Sequence, residues 1–270
     1  MRRIAAVTAI AVAAALAVAL VFDRLPTSNS SQPAGPPTAA IIDQASLTQP
    51  NPALAESAST ILERAGYTVD YYPGEQVTVD FYRDLPTLGY DLLIVRTHSG
   101  LFLDGIRTDE AFLFTSEPYS QTEHLDDQRA RRLIKASYYT EGLSVDLDPP
   151  DPPAGRISSW DVPYFFGIPV EFIRSSMRGS FNDTTIILMG CNGLTTNALA
   201  KAFVDRGASD VMSWDGLVSA RHTDAATEEL LTLLLDSGLS VDEAVAQTMD
   251  AIGPDPEYGS VLRSYSSEAN

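Results

Sequence analysis

An apolar, β-branched run in the last third of the chain ends abruptly at a cysteine between two glycines: Thr184-Thr185-Ile186-Ile187-Leu188-Met189-Gly190-Cys191-Asn192-Gly193. Its density of apolar residues predicts a strand buried on both faces of a sheet. Cys191 follows that strand at the point where the chain turns and leaves the sheet. It is the only cysteine in the chain, so no intramolecular disulfide can use it. The position is that of a reactive side chain rather than of a core residue.

A second segment has the same design and ends in a histidine. The apolar run 90–95 leads through Arg96 and Thr97 to His98-Ser99-Gly100. In open parallel α/β sheets, ligands bind outside the carboxyl ends of the strands. If the two strands are near neighbours, His98 and Cys191 share one rim of the sheet. An imidazole beside a thiol raises its thiolate fraction or takes its proton, so the pair predicts a thiol hydrolase.

Strand and helix signals alternate along 39–270, which predicts a single α/β domain. Such alternation favours a mostly parallel central sheet covered by helices on both faces. The segment 101–178 fits the alternation poorly, and we interpret it as an insertion with a strand at 111–115 and a helix at 170–177. Outside this segment, the predicted strands are 38–42, 67–72, 90–95, 185–189 and 209–214. The predicted helices outside it are 52–65, 79–85, 195–206, 224–235 and 240–252, and the last two of these are predicted to close the chain.

The N-terminal sequence is typical of an export signal. Met1-Arg2-Arg3 precedes Ile4 to Phe22, a stretch without a charged residue. As a helix this stretch would be about 28 Å long, close to the thickness of the bilayer core. We interpret 1–22 as a signal peptide or a transmembrane anchor, and 23–38 as a Pro- and Ser-rich linker. The domain is therefore expected outside the cytoplasm, either anchored through the N-terminal helix or secreted.

Charge excludes some classes of partner. The formal net charge is −18, which repels nucleic acid and anionic lipid headgroups. A peptide or protein substrate is the partner that a thiol hydrolase implies. The sequence does not indicate an oligomeric state.

The two strand-end motifs resemble those of the caspase-like cysteine peptidases, a group that includes caspases, metacaspases, legumain, clostripain, gingipains and CHAT proteins. The resemblance lies in 92–100 and 186–193 and extends, in the order of its motifs, through 209–246. It implies a three-layer α/β/α sandwich with a mostly parallel central sheet. It departs from the family pattern at Ser99, which stands where a glycine usually follows the histidine, and at Gly190, where alanine or serine is common.

The resemblance also implies a reaction and a set of site residues. Cys191 would attack a peptide carbonyl and His98 would protonate the leaving amine, without a metal or another cofactor. The oxyanion would be bound by the backbone of Ser99 or Gly100 together with that of Gly190-Cys191. Caspases have Ser-Trp-Arg in the strand after the cysteine and prefer an aspartate before the scissile bond. This chain has Ser213-Trp214-Asp215, and a carboxylate there would favour a basic side chain.

Two other functions fit the same residues. An α/β-hydrolase with a cysteine nucleophile would use Cys191 with a late histidine, His222. It would also need a glycine two residues before the nucleophile, where this chain has Met189. A membrane-tethered caspase-like domain that binds without turnover is the second alternative, because a fold does not determine a function.

Overall fold

The computed structural model describes residues 35–102, 110–137 and 163–267, and the central strands of the main sheet lie where the sequence has its apolar runs. The predicted segment 1–22 and most of the linker 23–38 lie outside these residues. The described strands are β1 (Thr38–Asp43), β2 (Thr68–Pro73), β3 (Leu92–Arg96), β4 (Ser99–Leu101), β5 (Ala111–Pro118), β6 (Ile134–Ala136), β7 (Phe165–Pro169), β8 (Thr184–Leu188), β9 (Ala208–Trp214) and β10 (Leu262–Ser266).

Helices connect most of these strands. The described α-helices are α1 (Pro52–Arg64), α2 (Val79–Asp84), α3 (Leu125–Arg129), α4 (Val170–Ser175), α5 (Ala198–Asp205), α6 (Ala220–Leu231) and α7 (Val241–Ile252). Local sequence explains where several of them begin. Asn51 accepts a hydrogen bond from the Leu54 N–H and is followed by proline, and α7 opens with the predicted capping box of Ser240 and Glu243.

The main sheet has six strands in the order β10-β9-β8-β3-β1-β2. The pairs β1–β2, β1–β3, β3–β8 and β8–β9 are parallel, and only β10 runs antiparallel to its neighbour β9. The predicted α/β class with a mostly parallel central sheet is therefore confirmed.

The central strands of the main sheet are buried on both faces, as their apolar runs require. Along β3, Leu93 and Val95 belong to one hydrophobic cluster, and Leu92 and Ile94 belong to the other. The first cluster also contains residues of α4, α5 and the second sheet, and the second cluster contains residues of α1, α6 and α7. This arrangement is an α/β sandwich. The described residues from Pro36 onward belong to one compact unit.

The segment predicted to be an insertion forms a second, antiparallel sheet in its described part. Its strand order is β4-β5-β7-β6. The predicted strand at 111–115 is present as β5, and the predicted helix at 170–177 is present as α4. Because β4 begins three residues after β3 ends, this second sheet starts directly beside His98.

The helix predicted at 224–235 is present as α6, which begins four residues earlier, at Ala220, so that His222 lies inside it. The prediction that two helices close the chain is wrong, because β10 follows α7 and pairs with β9. The sequence of β10, Leu262-Arg263-Ser264-Tyr265-Ser266, has no apolar run to signal a strand. Within the described residues, no helix is both long and apolar enough to cross a membrane.

Candidate active site

His98 and Cys191 follow two adjacent parallel strands of the main sheet. In the register of β3 and β8, Val95 lies beside Leu188, so both chains leave the sheet at the same edge. The hydroxyl of Ser99 donates a hydrogen bond to the carbonyl oxygen of Cys191 and joins the two loops directly. His98 and Cys191 therefore follow the ends of neighbouring strands at one rim of the sheet.

Both side chains line one small cavity of about 40 Å³. It lies between the ends of β3 and β8 and the start of α6. The residues that line it are Ala45, Gln49, Arg96, Thr97, His98, Met189, Gly190, Cys191, Val218, Ala220, Thr223 and Asp224. A thiol and an imidazole are the kinds of side chain that acyl transfer by a cysteine would use.

Only glycine fits at position 190, because the loop after β3 and the loop after β8 lie so close together there. A Cβ at this position would lie 2.5 Å from both the Ser99 hydroxyl and the Thr97 carbonyl oxygen. Among the residues predicted to bind the oxyanion, Gly190 lines the cavity. Ser99 and Gly100 instead form β4, where they pair with Leu113 and Phe112 of β5, and they are not among the lining residues. Of the three residues predicted to bind an oxyanion, Gly190 is thus the one that lies at the cavity.

His98 is held at its backbone and at its ring by the segment that follows β1. Its backbone N–H donates to the side-chain oxygen of Gln44 at 3.1 Å, and its Nε2 lies 2.7 Å from Thr48 Oγ1. Burial, with a smaller contribution from the positive charge of Arg96, lowers the pKa of His98 to about 4. The imidazole is therefore neutral at physiological pH.

The thiol of Cys191 lies against the backbone of Val218. Its Sγ is 3.6 Å from the Val218 carbonyl oxygen and 3.5 Å from the Val218 nitrogen. Burial raises the pKa of the Cys191 thiol, and the charge of Asp255 raises it further against the opposing contact with the Val218 N–H. Together with the neutral His98, this makes the resting pair a thiol and an imidazole rather than a thiolate and an imidazolium.

Residues 217–219, which we call the Val218 strap, are fixed to the loop between α7 and β10. The Ser260 hydroxyl donates to the Leu217 carbonyl oxygen at 2.5 Å. The N–H and the hydroxyl of Ser219 both donate to Asp255 Oδ2 at 2.9 Å. These bonds hold the Val218 backbone, which contacts the thiol, against the loop between α7 and β10.

A buried ion cluster, which the sequence did not reveal, lies beside the cavity. Arg96 binds Asp224 through its Nε at 2.8 Å and its NH2 at 3.0 Å, and it binds Asp43 through its NH1 at 2.9 Å. Asn51 donates to Asp224 at 2.8 Å, and Tyr71 donates to Asp43 at 3.1 Å. The cluster joins β1, β3 and α6. The one feature of the sequence that could have indicated this cluster is Arg96, a charged residue at the end of an otherwise apolar strand.

The three residues predicted to form a specificity pocket do not line the cavity. Ser213 and Trp214 are buried, with the Ser213 hydroxyl bound to the Leu188 carbonyl oxygen and the Trp214 ring nitrogen bound to Thr223. Asp215 accepts hydrogen bonds from the Val261 N–H at 2.9 Å and from Arg263 at 2.8 Å. Its charge is thus already matched by a cation of β10.

His222, the base of the α/β-hydrolase alternative, is directed away from the cavity. Its Nε2 lies 3.1 Å from the Gly253 carbonyl oxygen, and its ring packs on Trp214 with 5.2 Å between centroids. Its neighbours on α6, Ala220 and Thr223, line the cavity, whereas His222 is not among the lining residues. Of His98 and His222, His98 is therefore the one that lines the same cavity as Cys191.

In the described part of the chain, no three His, Cys, Asp or Glu side chains are grouped so that they could hold a metal ion.

The chain matches no protein-family model, and no curated protein matches it. What the site can do chemically therefore follows from its own residues.

Proposed function

We propose that this protein is a cysteine endopeptidase of the caspase-like kind, with Cys191 as nucleophile and His98 as general acid and base. One observation carries the proposal: both side chains line the same cavity at the carboxyl ends of the adjacent strands β3 and β8. The link from Ser99 to the Cys191 carbonyl supports it, because it fixes the two loops against each other. The mostly parallel α/β sandwich is compatible with the three-layer fold that the resemblance implies.

The reaction transfers one proton from sulfur to nitrogen before the peptide bond breaks. His98 takes the proton of the Cys191 thiol, and the sulfur attacks the substrate carbonyl to form a tetrahedral oxyanion. The imidazolium then gives its proton to the leaving amine as the carbon–nitrogen bond breaks. Water hydrolyses the remaining thioester with His98 as base, which restores the free thiol.

Because the thiol and the imidazole are both neutral at rest, the proton moves from Cys191 to His98 only after the substrate binds. A thiol with a raised pKa beside an imidazole with a lowered pKa holds its proton until a ligand changes their surroundings. The Val218 backbone lies within 3.6 Å of the sulfur, so a peptide bound at the thiol would compete with these contacts. A backbone strand of a peptide substrate can replace those contacts with its own carbonyl and N–H groups.

The preference for basic side chains has no support from the placement of Asp215, which is bound to Arg263 outside the cavity. The carboxylate that lines the cavity is Asp224, and Arg96 already binds both of its oxygens. We therefore propose the peptidase activity without a preferred side chain. Export of the domain, anchored or secreted, is part of the proposal and rests on the sequence of 1–22.

The proposal is tested with peptide substrates and a thiol-directed probe. The full chain is assayed on fluorogenic peptides that present basic, acidic, amide and apolar residues before the cleaved bond. Cys191→Ala is expected to abolish hydrolysis, and His98→Ala to lower it by about 10²–10⁴-fold. A peptide probe with a thiol-reactive group should label the parent protein and not Cys191→Ala.

The matched control is His222→Ala, which removes a histidine outside the cavity. It should retain hydrolysis. Loss of hydrolysis in His222→Ala alone would favour the α/β-hydrolase alternative. A folded parent protein that cleaves no peptide and leaves the probe unreacted would favour the binding domain without turnover.

A further inference from the structure

We propose that a second cavity, between the end of α3 and α4, is a binding site for a ligand with a carboxylate group, which Arg131 and Arg174 hold. The site is independent of the peptidase activity proposed above. We call it the α3–α4 cavity, and its volume is about 250 Å³. Its charged lining residues are Arg131, Arg174, Glu110 and Glu171. None of its lining residues also lines the cavity beside Cys191.

Both arginines of the α3–α4 cavity lack a counter-charge. Among the described residues, the side chains of Arg131 and Arg174 have no hydrogen bond, ion pair or ring contact. This is unexpected, because the chain has 36 acidic side chains and only 18 arginines and lysines. Glu171 precedes Arg174 at a spacing that allows ion pairs on a helix, but its carboxylate accepts a hydrogen bond from Ser175 at 2.7 Å instead. Two guanidiniums at one concave site are therefore left for a ligand to bind.

The backbone of Arg131 is a second, independent observation. Its φ is +56°, in the left-handed region that disfavours residues with a Cβ. The Arg131 N–H donates to the Gln128 carbonyl oxygen at 3.0 Å, and the Arg132 N–H donates to that of Asp127 at 2.8 Å. These two bonds are the usual end of an α-helix at which glycine stands in the left-handed position. An arginine there costs stability, and backbone strain of this kind is typical of residues whose side chains have a function.

The two arginines beside Arg131 have other surroundings. The side chain of Arg129 is 74% exposed, and it does not line the cavity. Arg132 donates to the buried carboxylate of Asp127 at 2.7 Å. Of these three arginines, Arg131 is therefore the one whose charge is both unpaired and directed at the α3–α4 cavity.

The lining favours a carboxylate over a phosphate or a polyanion. A guanidinium binds a carboxylate through two parallel N–H bonds, so two guanidiniums can bind both ends of a dicarboxylate or share one carboxylate. Glu110 and Glu171 repel a ligand of higher negative charge, and so does the net charge of −18. The rest of the lining, Ala130, Pro169 and Val170, is apolar and suits aliphatic carbons. The ligand class is therefore an aliphatic carboxylic acid, either a small free acid or the acidic side chain of a peptide.

The test is isothermal titration calorimetry of the full chain at low salt with three probes: succinate, the capped tripeptide acetyl-Ala-Glu-Ala-amide and inorganic phosphate. We expect succinate, the glutamate peptide or both to bind with a Kd of about 1 mM or lower. Succinamide and the glutamine version of the peptide should not bind. Binding of succinate alone identifies a small free acid as the ligand, and binding of the peptide alone identifies an acidic peptide. A bound ligand also raises the melting temperature, which gives a second measurement.

Arg131→Gly is the decisive variant, because it removes the guanidinium and also relieves the left-handed backbone. Binding should weaken by at least about tenfold, whereas the melting temperature should rise by about 2–4 °C. Weaker binding by a more stable protein cannot result from unfolding. Arg174→Gln should weaken binding by a similar factor. The matched control is Arg129→Gln, which changes the net charge by the same amount outside the cavity and should leave the Kd unchanged.

Three results would overturn the carboxylate site. The first is that neither succinate nor the glutamate peptide binds at concentrations up to about 10 mM. The second is binding that Arg131→Gly and Arg174→Gln leave unchanged. The third is tighter binding of phosphate than of either carboxylate, which would contradict the class of ligand. Peptide hydrolysis is measured in none of these experiments, so the site and the peptidase activity can each fail without the other.

Discussion

Removal of the Arg96 guanidinium should destabilise the fold more than removal of any exposed arginine. We consider Arg96→Met, which keeps most of the length of the side chain and deletes its charge and its hydrogen-bond donors. The side chains of Arg96, Asp43 and Asp224 are 4%, 3% and 8% exposed. After the substitution Asp43 retains only its bond from Tyr71, and Asp224 retains only its bond from Asn51, among the contacts described above.

The size of the effect follows from this burial. Deleting one partner of a buried ion pair leaves a charge without compensation and costs about 3–5 kcal/mol. Here one deletion removes three charge-assisted hydrogen bonds and strands two carboxylates. We expect the free energy of unfolding at neutral pH to fall by about 3–5 kcal/mol, toward the upper part of that range.

The pH dependence adds a second signature. Burial already raises the pKa of Asp43 in the parent protein, although Arg96 acts in the opposite direction. Without Arg96 the pKa of this buried carboxyl rises further. A folded-state pKa above the unfolded value means that the stability is present at low pH and is lost as the pH rises through the folded pKa. The deficit of Arg96→Met should therefore be larger at pH 7 than at about pH 5.

The measurement is urea unfolding followed by circular dichroism and tryptophan fluorescence. The control is Arg178→Met. Arg178 binds Asp84 at 2.7 Å, a distance similar to those in the cluster, but the two side chains are 63% and 43% exposed. Its loss should be below about 1 kcal/mol. Losses of equal, small size for the two variants, with no dependence on pH, would refute the view that the buried cluster stabilises this edge of the sheet.

Two further predictions concern the reach and charge of the thiol. Ser260→Ala removes the hydroxyl bound to the Leu217 carbonyl oxygen and should make alkylation of Cys191 by iodoacetamide several-fold faster. The control is Ser264→Ala, which removes a hydroxyl bound to α7 and should leave the alkylation rate unchanged. Equal alkylation rates in the two variants would show that the Val218 strap does not limit access to the thiol. Because burial raises the pKa of Cys191 and lowers that of His98 to about 4, alkylation of the substrate-free protein should accelerate steadily from about pH 7 upward; a plateau extending down to about pH 6 would instead indicate a thiolate–imidazolium pair.

Local sequence was sufficient for the frame of the site. The apolar runs before His98 and Cys191 predicted β3 and β8, and the general rule for parallel sheets placed both residues at one rim. This works because a strand buried on both faces needs a continuous run of apolar side chains, which is visible without knowledge of its partners. The helices around these strands were also predicted, from apolar residues repeated at helical spacing and from capping residues.

Local sequence failed where a partner lies far along the chain. The predicted specificity role of Asp215 rests on the resemblance to the caspase pattern. The charge of Asp215 is matched instead by Arg263 of β10, a strand with no apolar run to reveal it. The contact of Thr48 with His98 spans 50 residues, and that of Arg96 with Asp224 spans 128.

The physical difference lies in the range of the interactions. Strand and helix patterns arise from burial and hydrogen bonding that repeat every two to four residues, so a short stretch of sequence contains them. A buried charge or a ring nitrogen is satisfied by whichever polar group the packing of strands and helices brings to it. In this protein the sequence therefore specified the cysteine, the histidine and the edge of the sheet where they meet. Packing of β1, α6 and the loop before β10 against that edge supplied the groups that hold the ring, cover the thiol and neutralise the neighbouring charges.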